Sequence, residues 1–244
     1  MEYWRDEGLL LSVRRLGEGG AILEVLTAAH GRHLGVAPGG GSRRMAPVLQ
    51  PGAQLSLEWR ARLPEHMGSW RAEPIFSRAD ALMNDRRALA AMGAVAGLLR
   101  MFLPEREAAP KIYAATCTLM DAIAATPDWP QIYAAWELGL LAELGYGLDL
   151  SRCAATGTTQ ELVWVSPRTG RAVSRGAGAP YADRLLALPG FLRGVDGGTA
   201  AEGMRLTGHF LETRAAPAMG HARLPDARAL LAELLAREGA APRS

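Results

Sequence analysis

A chain of 244 residues with 49% hydrophobic and 21% charged side chains fits one large or two small soluble domains with substantial cores. A formal charge of +2 does not by itself announce a nucleic-acid binder, and its make-up is almost all arginine, since Lys111 is the only lysine. Cys117 and Cys153 are too few for a disulfide scaffold or a four-thiolate zinc site. The opening MEYWRDEG is too acidic for a signal peptide, and no stretch approaches the roughly 18 apolar residues of a membrane span, so a cytoplasmic, reduced protein is expected.

In chain order, the first third reads as strands. Gly8–Val13 and Ala21–Thr27 are apolar runs separated by the turn chemistry of Leu16-Gly17-Glu18-Gly19-Gly20. Arg32–Ala37 follows, and then Pro38-Gly39-Gly40-Gly41 before Ser42-Arg43-Arg44. Gln54–Arg60 alternates strictly, with Leu55, Leu57 and Trp59 on one face, and Gly68–Ile75 repeats the pattern with Trp70 and Ala72. Five short strands with glycine-rich turns and no helical crossover predict a small closed barrel, OB-fold or SH3-like. Near Ser77–Asp80 the period changes. A helix is expected over Ala79–Phe102, with Asp80 as its cap and Leu82 on its apolar face, and others over Ile112–Ala125 and Gln131–Leu144. A polar excursion spans 148–178 and contains the hairpin-like Leu162-Val163-Trp164-Val165. Helices are expected again over Tyr181–Leu188, near Glu202–Leu211, and over Asp226–Arg237. The layout is thus α+β: a β-barrel domain over 1–78 and an α-helical domain over 79–244.

No P-loop lysine and no nucleophile elbow appear. His30 and His33 are expected as polar tips at strand ends, Cys117 as a small buried hydrophobe, and Glu137 and Glu143 as parts of solvated helix faces. No catalytic group, metal site or cofactor is therefore expected. Binding chemistry remains. Glycines let backbone approach backbone or ligand, and the guanidinium fork suits phosphate oxygens. Arg14 and Arg15 leave the first strand together, Arg32 sits on the third, and Arg43 and Arg44 follow the glycines. Trp59 and Trp70 could stack bases, but their alternation favours the core.

The run GLLLSVRRLGEGGAILEVLTAAHGRHLGVAPGGGSRR, with VLQPG after it, resembles the N-terminal domain of the bacterial recombination-repair family RecO. WELGLLAELGYGLDLSRCAATG followed by SPRTGRAVS resembles that family's helical domain and the loop after it. The resemblance implies a five-stranded OB-fold followed by an α-helical domain, and a non-enzymatic mediator that binds single- and double-stranded DNA and anneals complementary strands. It implies RecR and the acidic C-terminal tail of the single-strand binding protein SSB as partners, with RecA loaded onto coated strands. Arg32, Ser42, Arg43 and Arg44 would face DNA, with Arg14 and Arg15 beside them. A tail ending in apolar residues and a carboxylate asks for an apolar groove with a basic rim, for which Arg100, Arg106, Lys111 and Tyr113 are the candidates. Two departures stand out. Members that hold zinc use four cysteines, of which only Cys153 is present, since Thr156, Gly157 and Val173–Arg175 supply no thiolate; Gly20 stands where Asp is common. Two other readings stay open on the residues alone: a protein-interaction adaptor whose barrel binds no nucleic acid, and a hydrolase without a recognisable site.

Overall fold

The computed structural model describes residues 1–78 and 85–240, and of 238–240 the backbone only. Strands β1 (Glu2–Leu16), β2 (Gly20–Thr27), β3 (Gly31–Ala37), β4 (Gln54–Ala61) and β5 (Ser69–Phe76) close a barrel in the order β1-β2-β3-β5-β4. All neighbours are antiparallel except β3 and β5, which meet in parallel at Val36 and Ser69. Alternation could not separate the two small barrels; this pairing does, and the barrel is an OB-fold. β1 begins at Glu2 and not at Gly8, because it serves both walls: Gly8–Leu16 pairs with β2 and Glu2–Leu9 with β4. Its polar start hid it in the sequence.

The barrel interior is built by alternation, from Leu10, Leu23, Val25, Leu55, Leu57, Trp59 and Trp70, with Leu49 as a plug from the loop before β4. That loop coils on itself, with Ala46 N–H bonded to Ser42 O at 2.9 Å and Leu49 N–H to Met45 O at 2.8 Å. Register shifts between Leu10 and Ser12, a β-bulge in which Leu11 is the extra residue. Leu9, Leu11 and Leu26 are fully buried without belonging to the interior cluster. They form an outer apolar face that needs cover, and α2 lies against β2 on that side. The helices that follow the barrel are α1 (Arg86–Phe102), capped by Asp85 accepting from Arg87 N–H at 2.8 Å, and α2 (Pro110–Ala125). Asp80 and Leu82 lie outside the described residues. Compactness divides the chain into Met1–Ala125 and Thr126–Ser244, so α1 and α2 belong with the barrel.

The second unit begins with α3 (Trp129–Glu143). The excursion is ordered: β6 (Leu162–Val165) lies between β7 (Ala172–Ser174) and β8 (Leu186–Ala187), with the short α4 (Arg175–Gly178) after β7. Arg214 clips the β6–β7 loop, donating to Arg168 O at 2.7 Å with its guanidinium 4.8 Å from the Phe210 ring centre. The helix expected over Tyr181–Leu188 is instead a 3-10 segment, Ala179–Arg184, and then β8. Tyr181 has a non-helical φ of −126°, and Leu188 N–H bonds Val163 O at 2.9 Å, so the sheet claims this segment. α5 (Ala200–Phe210) starts with a Thr199/Glu202 capping box and runs through a π turn, Leu211–Ala215, into α6 (Ala216–Ala218); α7 (Asp226–Ala240) closes the described chain.

Glu137 corrects an expectation. It is fully buried inside this unit, where Arg228 reaches it bidentately, Nε to Oε1 at 2.7 Å and Nη2 to Oε2 at 2.9 Å. Thr207 also donates to it, and Arg228 donates to Met204 O at 2.8 Å. Gly208 makes room, since a Cβ there would stand 2.7 Å from the guanidinium.

Candidate nucleic-acid interface

The glycine loop is docked on the β1–β2 hairpin, backbone against backbone. Gly41 N–H donates to Gly19 O at 3.2 Å, and a Cβ on Gly41 would stand 2.6 Å from Gly20 O. Gly20 itself cannot carry a side chain without moving Leu16 O, 2.9 Å from where its Cβ would be. Gly39 takes φ +76°, and Ser42 N–H bonds Gly39 O at 3.1 Å. Ser42 Oγ accepts from Met45 N–H at 3.3 Å, so the serine pins the turn and keeps its own O–H free to donate.

This docking brings two arginine pairs to neighbouring loops. Arg14 and Arg15 lie at the hairpin end of β1, opposite Ile22 and Ala21, and Arg43 and Arg44 follow Ser42. All four are exposed, and among the described residues none of them has an ion-pair partner. Unpaired guanidiniums held on adjacent turns are hydrated donors ready for phosphate.

Arg32 is placed differently. Its side chain is 12% exposed and is spent inside the unit, on Glu24, on Glu105 at 3.5 Å, and on Leu103 O at 3.2 Å. Glu24 is 3% exposed and also accepts from Ser12 Oγ at 3.0 Å and Arg100 Nε at 2.9 Å. A carboxylate buried among three donors would be left uncompensated without them. Arg32, which the family resemblance has facing DNA, is thus held by internal partners, and Arg100 shares the Glu24 carboxylate with it. Arg106 donates to Pro64 O and to His66 O (2.7 Å), with its guanidinium 5.8 Å from the Trp59 ring centre, and so ties down the β4–β5 loop. Tyr113 accepts from Gln54 Nε2 at 2.7 Å, and burial pushes its phenol up to about 12. Of the residues considered for a partner tail, Lys111 is exposed and has no such tie among the described residues.

One feature of this unit was not visible as a cluster in the sequence. Trp4 stacks on His30 with ring centres 3.8 Å apart and lies within 6 Å of His33, Trp59 and Trp70. His33, expected at a strand end, is instead inside the barrel, 4% exposed, with neither ring nitrogen bonded among the described residues. Burial, then the charges of Arg106 and His30, lower it to about 4. The alternation of β3 could have found it, because His33 shares the inward face with Gly35 and Ala37. Trp59 and Trp70 are core residues, 2% and 3% exposed. Cys117 is half-buried, its thiol 3.9 Å from Gln54 Oε1.

In the second unit Cys153 is 1% exposed and accepts from Ser174 N–H at 3.2 Å and Ser174 Oγ at 3.4 Å. Burial would raise this thiol, but the bonds from Ser174 and Thr156 outweigh it and hold it at about 6. Gly157 N–H to Cys153 O (2.9 Å) and Cys153 N–H to Thr158 O (2.7 Å) close the knuckle. Hydroxyl and amide donors thus surround the thiol. Among the described residues no group of three or more His, Cys, Asp or Glu is arranged to hold a metal, and no helix is long and apolar enough to cross a membrane.

The family models "Recombination protein O N terminal" and "Recombination protein O C terminal" match residues 1–78 and 83–223. The DNA repair protein RecO of Cereibacter sphaeroides is 54% identical over 240 residues, covering 97% of this chain and all of the relative. That of Ruegeria sp. is 51% identical over 237 residues, covering 96% and 98%; that of Dinoroseobacter shibae is 51% identical over 236, again covering 96% and 98%. With both family models in order along an OB barrel and a helical region, and full-length relatives at this identity, the chain belongs to the RecO family.

Proposed function

We propose that this RecO-family protein is a non-enzymatic mediator of DNA repair and recombination. It binds single- and double-stranded DNA through the barrel rim, anneals complementary strands, and with RecR assists RecA loading on SSB-coated strands, a nucleoid-associated task in the cytoplasm. The observation that carries this is the backbone docking of the glycine loop on the hairpin, which sets Arg14 and Arg15 near Arg43 and Arg44 with no ion-pair partner among the described residues. Annealing needs no catalytic group. It needs two strands neutralised side by side, and arginines on two adjacent turns offer that surface.

Fluorescence anisotropy of a labelled single-stranded oligonucleotide across a salt series tests the reading. Wild type is expected to show a log–log slope of roughly −0.7 per phosphate contacted, and the Arg43→Ala/Arg44→Ala variant a slope shallower by about 1.4. A wild-type affinity indifferent to salt would remove the phosphate reading. In this reading the SSB tail binds the first unit near Lys111, with Arg100, Arg106 and Tyr113 as the other candidate residues.

A further inference from the structure

The β3–β5 seam is the weakest closure of the barrel. Among the described residues it consists of Val36 paired with Ser69, backed by Val36 N–H to Gly68 O at 3.0 Å. Beyond that point β3 departs through Pro38, while β5 continues to Phe76 paired to β4. The seam therefore opens, and a cavity of about 510 Å³ occupies the gap, within the roughly 300–1,000 Å³ usual for small-ligand sites. Its buried floor is Leu49 and Trp70 with Met45 partly buried beside them, and its lip is Ser42, Arg44 and Arg71. Trp70 has an indole N–H that finds no acceptor among the described residues. That N–H is sealed from solvent against Gly35, where an added Cβ would stand 2.5 Å from Nε1, so the indole offers the cavity its ring and not its donor. Arg71 faces Glu73 at 3.0 Å, but both side chains are mostly exposed, 70% and 64%. Such a pair exchanges readily for another anion.

We infer that this opening takes one unstacked nucleotide of a single strand. The base enters against Met45, Leu49 and Trp70, and the adjoining phosphate is held by Arg44 and Arg71 with the Ser42 hydroxyl donating. The inference rests on the phosphate-binding reading of the rim and adds a base contact and a further phosphate ligand, Arg71. An apolar floor under a cationic, hydroxyl-bearing lip matches the two halves of a nucleotide.

The test compares a labelled single-stranded oligonucleotide with one of equal length and charge that is abasic throughout. Wild type is expected to bind the intact strand at least about fivefold more tightly, with the same salt slope for both. Ala72→Phe, which fills the cavity, is expected to bring that ratio to one while leaving the slope unchanged. Arg71→Ala, which does not touch the interior, is expected to flatten the slope for the intact strand by roughly 0.7. Circular dichroism establishes that each variant is folded; should Ala72→Phe fail to fold, the wild-type ratio and Arg71→Ala decide. Equal wild-type affinity for the two strands overturns the nucleotide site while the salt slope still upholds the rim. A ratio that survives in folded Ala72→Phe overturns it as well. Binding of neither strand removes both readings together.

Discussion

In the second unit Arg228 is 6% exposed and holds the fully buried Glu137 in a bidentate pair, while on the barrel rim Arg14, Arg15, Arg43 and Arg44 stand exposed with no ion-pair partner among the described residues. Arg32, only seven residues before Gly39, behaves like Arg228 and not like its neighbours in the chain, because Glu24 and Glu105 claim it. The same side chain therefore does two jobs here. Where a carboxylate faces it inside the unit, arginine neutralises a buried charge, and its removal costs stability. Where no carboxylate pairs with it among the described residues, as on the docked glycine loop, its removal is expected to cost little stability and to weaken attraction to anions.

The largest effect that can break this contrast is at Arg228. Arg228→Met strands the Glu137 carboxylate and is expected to lower unfolding free energy by about 3–5 kcal/mol, with Glu137→Leu/Arg228→Met recovering most of it. Urea denaturation measures both. An Arg228→Met variant as stable as wild type would mean that burial does not separate the two classes of arginine.

A buried charge is also refused at His33. Its ordinary value of 6.5 is lowered to about 4 in the fold, so the unfolded chain takes up the proton first as pH falls. Stability is therefore lost between pH 6.5 and 4, by up to about 3 kcal/mol. His33→Phe, apolar and able to keep the contacts with Trp4 and Trp59, is expected to flatten that loss; urea midpoints at pH 7 and pH 4.5 for the two proteins decide. Parallel curves would show that His33 does not carry the acid sensitivity.

A smaller effect is expected in the knuckle around Cys153. Its thiol, held at about 6, has a folded value below its unfolded one. Its contribution is complete above the unfolded value and is lost as pH falls through 6. Cys153→Ser is expected to cost about 1 kcal/mol at pH 8, and a strong chelator is expected to leave the wild-type melting transition unmoved. A transition that drops on chelation would mean that a metal, and not hydrogen bonds, holds the loop.

Much of this was legible from the residues. The alternation of β4 and the glycine-rich turns around β2 and β3 are strong local signals, because a half-buried strand writes its faces into a period of two. The start of β1 was not legible: Glu2–Glu7 is polar, and Trp4 becomes a barrel residue only through Trp59, 55 residues away in sequence but directly opposite in register. Glu137 looked solvated for the same reason, since its partner lies 91 residues on. Tyr181–Leu188 has helical composition, but β6 supplies an edge that β8 completes. At the rim, the glycine–arginine motif marked the loop correctly as a place of close approach, while which arginines remain free depended on carboxylates brought by other strands and helices.

The most direct test of the contrast crosses two variants with two readouts. Arg32→Ala and Arg43→Ala/Arg44→Ala are each measured for unfolding free energy and for the salt slope of single-strand binding. The expected result is reciprocal: Arg32→Ala loses about 2 kcal/mol or more of stability and keeps the wild-type slope, and Arg43→Ala/Arg44→Ala keeps stability within about 0.5 kcal/mol and flattens the slope. If Arg32→Ala leaves stability intact and flattens the slope, Arg32 faces DNA after all and the division between spent and free arginines is wrong.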